Sequence, residues 1–147
     1  MELDDISWIL LEALQENARL SYKDLGERVG LTAPAVADRV RRLEKLGIIR
    51  GYRADLDLAL LGWPIVALVR LSPRPGLEEE RVEEVVLALD NNVLEAHRVT
   101  GSEHMWVKLG ARSLQDLDRI LGKIRTVAST TTSVRLSTLV ENKNIHR

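Results

Sequence analysis

The stretch SYKDLGERVGLTAPAVADRVRRLEKLG, residues 21–47, decides the fold of the first part of this chain. Ser21-x-x-Asp24 matches a capping box, in which hydroxyl and carboxylate satisfy the orphan N–H groups at a helix start. Gly30 follows Val29, where a left-handed residue ends a helix at little steric cost. Thr32 is a good N-cap for the next helix, and Pro34 is tolerated in a first turn. Leu31 and Val36 are placed for a hydrophobic staple. Two short helices joined by a tight glycine turn are the outline of a helix-turn-helix.

Working outward, DDISWILLEALQE (4–16) carries Ile6, Ile9, Leu10, Ala13 and Leu14 on one helical stripe. Asp4 and Asp5 sit in its first turn, where the helix dipole favours negative charge. In the helix from Thr32 to Leu46, Val36, Val40 and Leu43 share the side that must face a core. Pro34, Asp38, Arg41, Arg42 and Lys45 fall opposite, with Ala35 and Arg39 flanking. Ala33, Ala35 and Ala37 keep the leading end thin enough for a major groove about 12 Å wide. The arginines can reach phosphates or the O6/N7 edge of guanine. A lone charge run is ordinarily a solvated face. Here the capping box, tight turn, slim leading end and basic outer face together favour DNA. Residues 48–52 read as a short strand beside Arg50 and Arg53, which makes the domain winged-helix-like. Arg39, Arg41, Arg42, Lys45, Arg50 and Arg53 face Glu44 alone over this stretch, although the formal net charge of the 147 residues is only -1.

Apolar content of 45% and charged content of 29% fit a soluble globular protein rather than a disordered one. With no cysteine, disulfides and thiolate metal sites are excluded. The longest apolar runs, such as WPIVALV (63–69), fall far short of the roughly 20 residues that span a bilayer. MELDDISW has no secretion signal, so a cytoplasmic protein without a membrane partner is expected. No nucleophile–base pair or phosphate-cradling loop stands out. His97 and His104 lack a third clear ligand, so no catalytic residue, cofactor or metal is expected.

DLALLGWP (57–64) is a Gly/Pro-punctuated junction, which divides the chain into domains at 1–60 and 61–147. Beyond it, 64–72 has strand character and 77–90 is helical, with Val82, Val85, Val86 and Leu89 on one face. VLEAHRVT (93–100) and HMWVKLGA (104–111) read as strands joined in a hairpin at Gly101-Ser102. A second capping box, Ser113-x-x-Asp116, opens a helix with Leu117, Ile120, Leu121 and Ile124 on one face. The β-branched run 129–141 is the last strand. The order βαββαβ is the ferredoxin-like split βαβ, and the whole chain is α+β. Two helices cover one sheet face; self-association is the simplest cover for the other.

Three stretches carry a resemblance: LDDISWILLEALQENARLSYKDLGERVGLT, AVADRVRRLEKLGIIRGYRADLD and VTGSEHMWVKLG. In them the chain resembles the leucine-responsive regulatory protein/AsnC (Lrp/AsnC, feast/famine) transcriptional regulators, and the likeness runs over essentially its whole length. The resemblance implies a DNA-binding helix-turn-helix followed by a ferredoxin-like effector and oligomerisation domain. It implies homodimers built through the C-terminal sheets, often gathered into octamers, that bind double-stranded promoter DNA. The DNA contacts expected are Thr32, Ala35, Asp38, Arg39, Arg41, Arg42, Lys45 and Arg50. Asp38 either accepts from cytosine N4 or restrains a neighbouring arginine.

The resemblance also implies a small effector, frequently an amino acid, bound between dimers. The residues matching that site are Gly101, Ser102, Glu103 and His104, faced by Thr130 and Thr132. Many family members carry Gly-Asp-Tyr-Asp in this loop, where the second acid can hold an ammonium group. Here His104 stands in its place. Three alternatives follow: Glu103 takes over, the ligand is not an ordinary amino acid, or none binds. Plain β-propensity also accounts for the hydroxyl-rich strand. An enzyme similar to siroheme decarboxylases, on the same two-domain scaffold, is the alternative function, resting on His97 and His104.

Overall fold

Asp4 caps the first helix, α1 (Asp5–Glu16), rather than lying inside it: its carboxylate accepts the Ser7 N–H at 2.9 Å. The coordinates form a computed structural model and describe residues 2–147. In α2 (Tyr22–Val29) the expected capping box is complete, with Asp24 N–H donating to Ser21 Oγ and Ser21 N–H to Asp24 Oδ2, both at 3.1 Å. Gly30 closes α2 at φ 69°, ψ 31°. The tight turn has a second requirement. The N–H groups of Gly30 and Leu31 both reach the Gly26 carbonyl, and a Cβ on Gly26 would lie 2.4 Å from the Leu31 carbonyl oxygen. Only glycine allows this approach of the turn to α2.

Helix α3 (Ala33–Lys45) begins as expected, with Pro34 in its first turn. Thr32 has the extended backbone of an N-cap, but its hydroxyl makes no capping hydrogen bond. Leu10, Ala13, Leu25, Val36 and Val40 form the core of this unit, with Ile6, Leu14, Leu20, Val29, Leu31 and Ile49 packed against it. Leu10 and Leu25 are wholly buried, each contributing roughly 1.5–3 kcal/mol. Ala37 belongs to the buried side of α3 and not to its slim leading end.

The short strand expected at 48–52 does not form. Gly47 turns the chain at φ 72°, and the N–H groups of Ile48 and Ile49 both donate to the Leu43 carbonyl, at 3.0 and 3.3 Å. Those bonds fold the segment back on α3, and no neighbouring strand among the described residues offers it a ladder. Among those residues the unit is three helices without a wing.

The following unit contains β1 (Ile65–Pro73), α4 (Glu79–Leu87), β2 (Val93–Arg98), β3 (Met105–Ala111), α5 (Leu114–Arg125) and β4 (Ala128–Val134), the expected βαββαβ order. Its sheet is antiparallel throughout, ordered β2-β3-β1-β4. Val69 on β1 stands opposite Val107 on β3 and Thr132 on β4. Alternate residues Ala67, Val69 and Leu71 meet Met105, Val107 and Leu109, and Val82, Val86, Ile120 and Ile124 of the helices close the core. The second capping box forms only in part. Asp116 N–H donates to Ser113 Oγ at 3.0 Å, but the Asp116 carboxylate accepts from Arg112 N–H at 3.1 Å instead of from Ser113. The last strand ends at Val134, well short of the 129–141 expected from its β-branched run. Trp63 lies against Gly110, where a Cβ would come within 3.0 Å of the indole, and Arg112 sits 5.8 Å from the centre of that ring.

Packing divides the chain into Met1–Asp55 with Val140–Arg147, and Leu56–Leu139. The first segment therefore hands over just before the Gly/Pro-punctuated junction. The final eight residues return to the helical unit. Among the described residues no helix is long and apolar enough to cross a membrane.

Candidate nucleic-acid interface and effector loop

Burial of Val36, Ala37, Val40 and Leu43 fixes the rotation of α3 and leaves Thr32, Pro34, Asp38, Arg41, Arg42 and Lys45 exposed, with Ala35 half-buried beside them. Arg42, Lys45 and Arg50 make no side-chain hydrogen bond or ion pair with any described residue, and they are exposed. Arg41 is held by Asp38 at 2.7 Å, one helical turn away, the restraint named as one of the two roles for that aspartate. Arg39 differs from its neighbours. It is half-buried, with its guanidinium 2.6 Å from Asp4 and 3.5 Å from the Ser7 hydroxyl. Hydrogen bonds from Ser7 and then Arg39 hold the Asp4 carboxyl far below the usual carboxylate range. Arg39 thus ties α3 to the N-cap of α1.

Glu44, the lone acid of this basic stretch, accepts a hydrogen bond from the Tyr52 hydroxyl at 3.0 Å. Burial, followed by that contact, pushes the Tyr52 phenol up to about 12. The pairing occupies Glu44 away from the basic side chains around it.

In the second unit, Gly101 turns the β2–β3 hairpin at φ 124°. The loop is anchored by main-chain bonds from His104 N–H to the Leu71 carbonyl at 2.9 Å and from Val99 N–H to the His104 carbonyl at 3.1 Å. The His104 side chain is only 8% exposed. Its Nδ1 lies 3.1 Å from Glu79 and its Nε2 3.2 Å from Glu83, so both ring nitrogens face carboxylates one turn apart on α4. Arg98 grips Glu83 with two nitrogens, at 2.5 and 2.6 Å. Arg98 first, and His104 with it, hold the Glu83 carboxyl below its usual range. Glu103 meets Arg70 at 3.3 Å and accepts from the Ser102 hydroxyl at 2.9 Å. Gly101, Ser102, Glu103 and His104 line a cavity of about 370 Å³ together with Pro73, Glu79, Arg98 and Val99.

Thr130 and Thr132 are half-buried on β4, opposite Leu71 and Val69, and do not line that cavity. His97 lies elsewhere on β2, 3.5 Å from Glu95, with its ring centre 6.0 Å from that of Trp106. The two imidazoles have separate partners, and among the described residues no cluster of three His, Asp or Glu could hold a metal ion. Glu79, Glu83, Arg98 and Arg70 were not singled out from sequence. The Glu79/Glu83 spacing was visible, but an i,i+4 acid pair on a helix is too common to name a partner 21 positions beyond its second member.

A three-helix unit with a basic, outward recognition helix, joined to an α+β domain with a polar loop cavity, defines a helix-turn-helix regulator carrying a ligand-binding domain. Residues 3–44 match the AsnC-type helix-turn-helix domain, and residues 66–145 match the Lrp/AsnC ligand binding domain. The chain belongs to the Lrp/AsnC family of transcriptional regulators. It is 32% identical to the HTH-type transcriptional regulator LrpC of Bacillus subtilis, covering 98% of each chain. The solved structure of that LrpC superposes with a TM-score of 0.87 over 95% of this chain and 99% of the other, at 31% identity. The feast or famine regulatory protein of M. tuberculosis, solved in complex with L-methionine, is 29% identical with a TM-score of 0.89, covering 99% and 100%. E. coli AsnC gives 26% identity and a TM-score of 0.84, with 99% of each chain covered.

Proposed function

We propose that this regulator reads promoter DNA through α3 as a cytoplasmic homodimer, gathered into higher assemblies up to an octamer. The observation that carries the reading is the outer face of α3: a cationic surface whose Arg42 and Lys45, with Arg50 just beyond, are unengaged by the fold. Thr32 and the helix N-terminus bind phosphate. Ala35 and Asp38 lie closest to base edges, and Arg41, steadied by Asp38, and Arg42 reach guanine or phosphate. Lys45 and Arg50 add backbone contacts. Arg39 reaches DNA only by exchanging Asp4 for a phosphate; otherwise it positions α3. Two recognition helices then enter successive major grooves about 34 Å apart.

The test is a mobility-shift titration on the DNA upstream of the chain's own coding region. Tight binding that falls on Arg42→Ala is expected. Equal, weak binding to random duplex, insensitive to that change, would sink the reading.

The loop Gly101–Ser102–Glu103–His104 is the proposed effector site, with Thr130 and Thr132 supplied by a neighbouring copy. The L-methionine complex of the M. tuberculosis relative supports an amino acid or related metabolite as the ligand class. The Glu103–Arg70 ion pair and the carboxylate contacts of His104 support a ligand that must displace groups of this chain to bind. A thermal-shift screen of amino acids on the wild type and on His104→Asp checks this. A new amino-acid response in the variant is expected; identical profiles would remove the loop from ligand choice. The separate partners of His97 and His104 support a regulator rather than an enzyme, and an unchanged haem spectrum on mixing is the expected control.

A further inference from the structure

The last strand ends at Val134, and Leu136 and Leu139 are then 98% and 96% exposed. The eight residues after them do not trail away: Val140–Arg147 belongs to the helix-turn-helix unit. Gln15 of α1 closes a pair of hydrogen bonds on Ile145, its Nε2 donating to the Ile145 carbonyl and its Oε1 accepting the Ile145 N–H, both at 2.9 Å. This is the two-way pattern by which an extended strand is held, reproduced by one side-chain amide. Arg147 N–H donates to Glu12 at 3.2 Å, and its guanidinium pairs with Asp5. His146 Nδ1 lies 3.8 Å from Glu12. Ile145 also borders, without filling, a groove of about 810 Å³ whose other walls include Trp8, Leu11, Leu14, Tyr52, Arg50 and Arg53. The charges match at the end of the tail, where the Arg147 guanidinium meets Asp5 and its N–H meets Glu12; Lys143 and Glu141 offset each other earlier in the segment.

We propose that the face of α1 carrying Asp5, Glu12 and Gln15 is a docking site for the chain's own C-terminal tail, and that the docked tail is a regulatory strap on the DNA-binding unit. Residues 135–139 run directly from the last strand of the ligand-binding domain into the tail. The helix-turn-helix therefore has two covalent leads to that domain, one on each side of it in sequence. A change that pulls on the end of β4 reaches α1 without passing through the first junction. This regulatory role rests on the reading of the chain as a DNA-binding regulator; the docking does not.

The test is amide hydrogen exchange on three forms: the full chain, a chain ending at Leu139, and Gln15→Ala. In the full chain the Ile145 amide is expected to be protected. Loss of the tail or of the Gln15 clamp is expected to speed exchange across α1 about tenfold, the scale of two net hydrogen bonds. A synthetic peptide of sequence VENKNIHR, added to the shortened chain, is expected to restore protection and shift Trp8 fluorescence. An Ile145 amide that exchanges at the free-peptide rate overturns the docking. So does protection that appears only as chain concentration rises, since the tail would then sit on a second copy. Unchanged exchange in the second unit shows that the shortened chain still folds. Operator affinity is then compared between the full and shortened chains. A docked tail whose removal leaves affinity unchanged overturns the strap, whereas a docked tail in a chain that binds no DNA overturns the regulator reading instead.

Discussion

Gly26 and Gly30 are both required by the helix-turn-helix turn, for different reasons. Gly30 needs its positive φ, and a Cβ there would meet nothing within 4 Å. Gly26 needs empty space, because the Leu31 carbonyl stands where a side chain would begin. Gly30→Ala is therefore expected to cost about 1 kcal/mol. Gly26→Ala must move the turn and is expected to cost more, about 1–3 kcal/mol, with loss of DNA binding. Denaturant unfolding of the two variants would rank them, and equal costs would refute the distinction. His104 is the other position where one side chain sets local chemistry. With both ring nitrogens on carboxylates, His104→Leu leaves Glu79 without its imidazole partner while Glu83 keeps Arg98. The loop is then expected to loosen at Glu79 first, visible as faster exchange of the Glu79–Glu80 amides than of those near Glu83.

At the scale of elements, three helices begin on carboxylates that hydrogen bonds hold below their usual range. Asp4 is held chiefly by Ser7 and then Arg39, Asp24 by Ser21, and Asp116 by the Arg112 N–H and then Arg119. A depressed folded pKa means that the group adds stability above its unfolded value and loses it as pH falls toward the folded one. Helix starts are thus expected to fray as pH drops below the ordinary carboxylate range, with far-UV circular dichroism reporting the loss. Asn substitution at Asp24 should flatten its share. At the alkaline end the sign is reversed. The Tyr52 phenol, raised to about 12 by burial and then Glu44, contributes fully below about 10 and less as pH rises through 12. Phenolate absorbance at alkaline pH should show one tyrosine titrating late, and Tyr52→Phe should abolish that late step.

The assembled regulator is where electrostatics becomes affinity. If about three cations per recognition unit neutralise phosphates, a dimer loses affinity with salt on a log–log slope of about -5. Removing Arg42 or Lys45, which the fold leaves unengaged, should reduce that slope by about 1.8 per dimer. Arg39→Ala should act differently. It removes the tie to Asp4 and is expected to lower thermal stability along with affinity, while changing the salt slope less than Arg42→Ala does. Titrations of the three variants across a salt series check the order.

The capping box of α2, the αL turn at Gly30, the stripe of Val36, Val40 and Leu43 and the βαββαβ order were all legible in the chain, because each depends on neighbours within a few positions or on a repeating period. The basic face of α3 was legible for the same reason: once the apolar stripe is known, the opposite side follows. What depends on distant pairing was not. The failed strand at 48–52 had β-branched residues but no described neighbour to supply a ladder, and the last strand stopped at Val134, opposite Ala67 and two residues from the end of β1 at Ile65, where little of β1 was left to pair with. Gly26 could not be told from any helical glycine until the turn approached it. That Arg39 differs from its basic neighbours could not be seen until folding brought Asp4, 35 positions earlier, against it. The same holds for His104 with the α4 carboxylates and for Ile145 with Gln15, 130 positions apart. Local pattern determined the elements and the basic outer face of α3. Which charges stay available on that face, what surrounds the β2–β3 loop and where the tail docks were decided by tertiary packing, since ion pairs and clamps form between groups that only folding brings within hydrogen-bond reach.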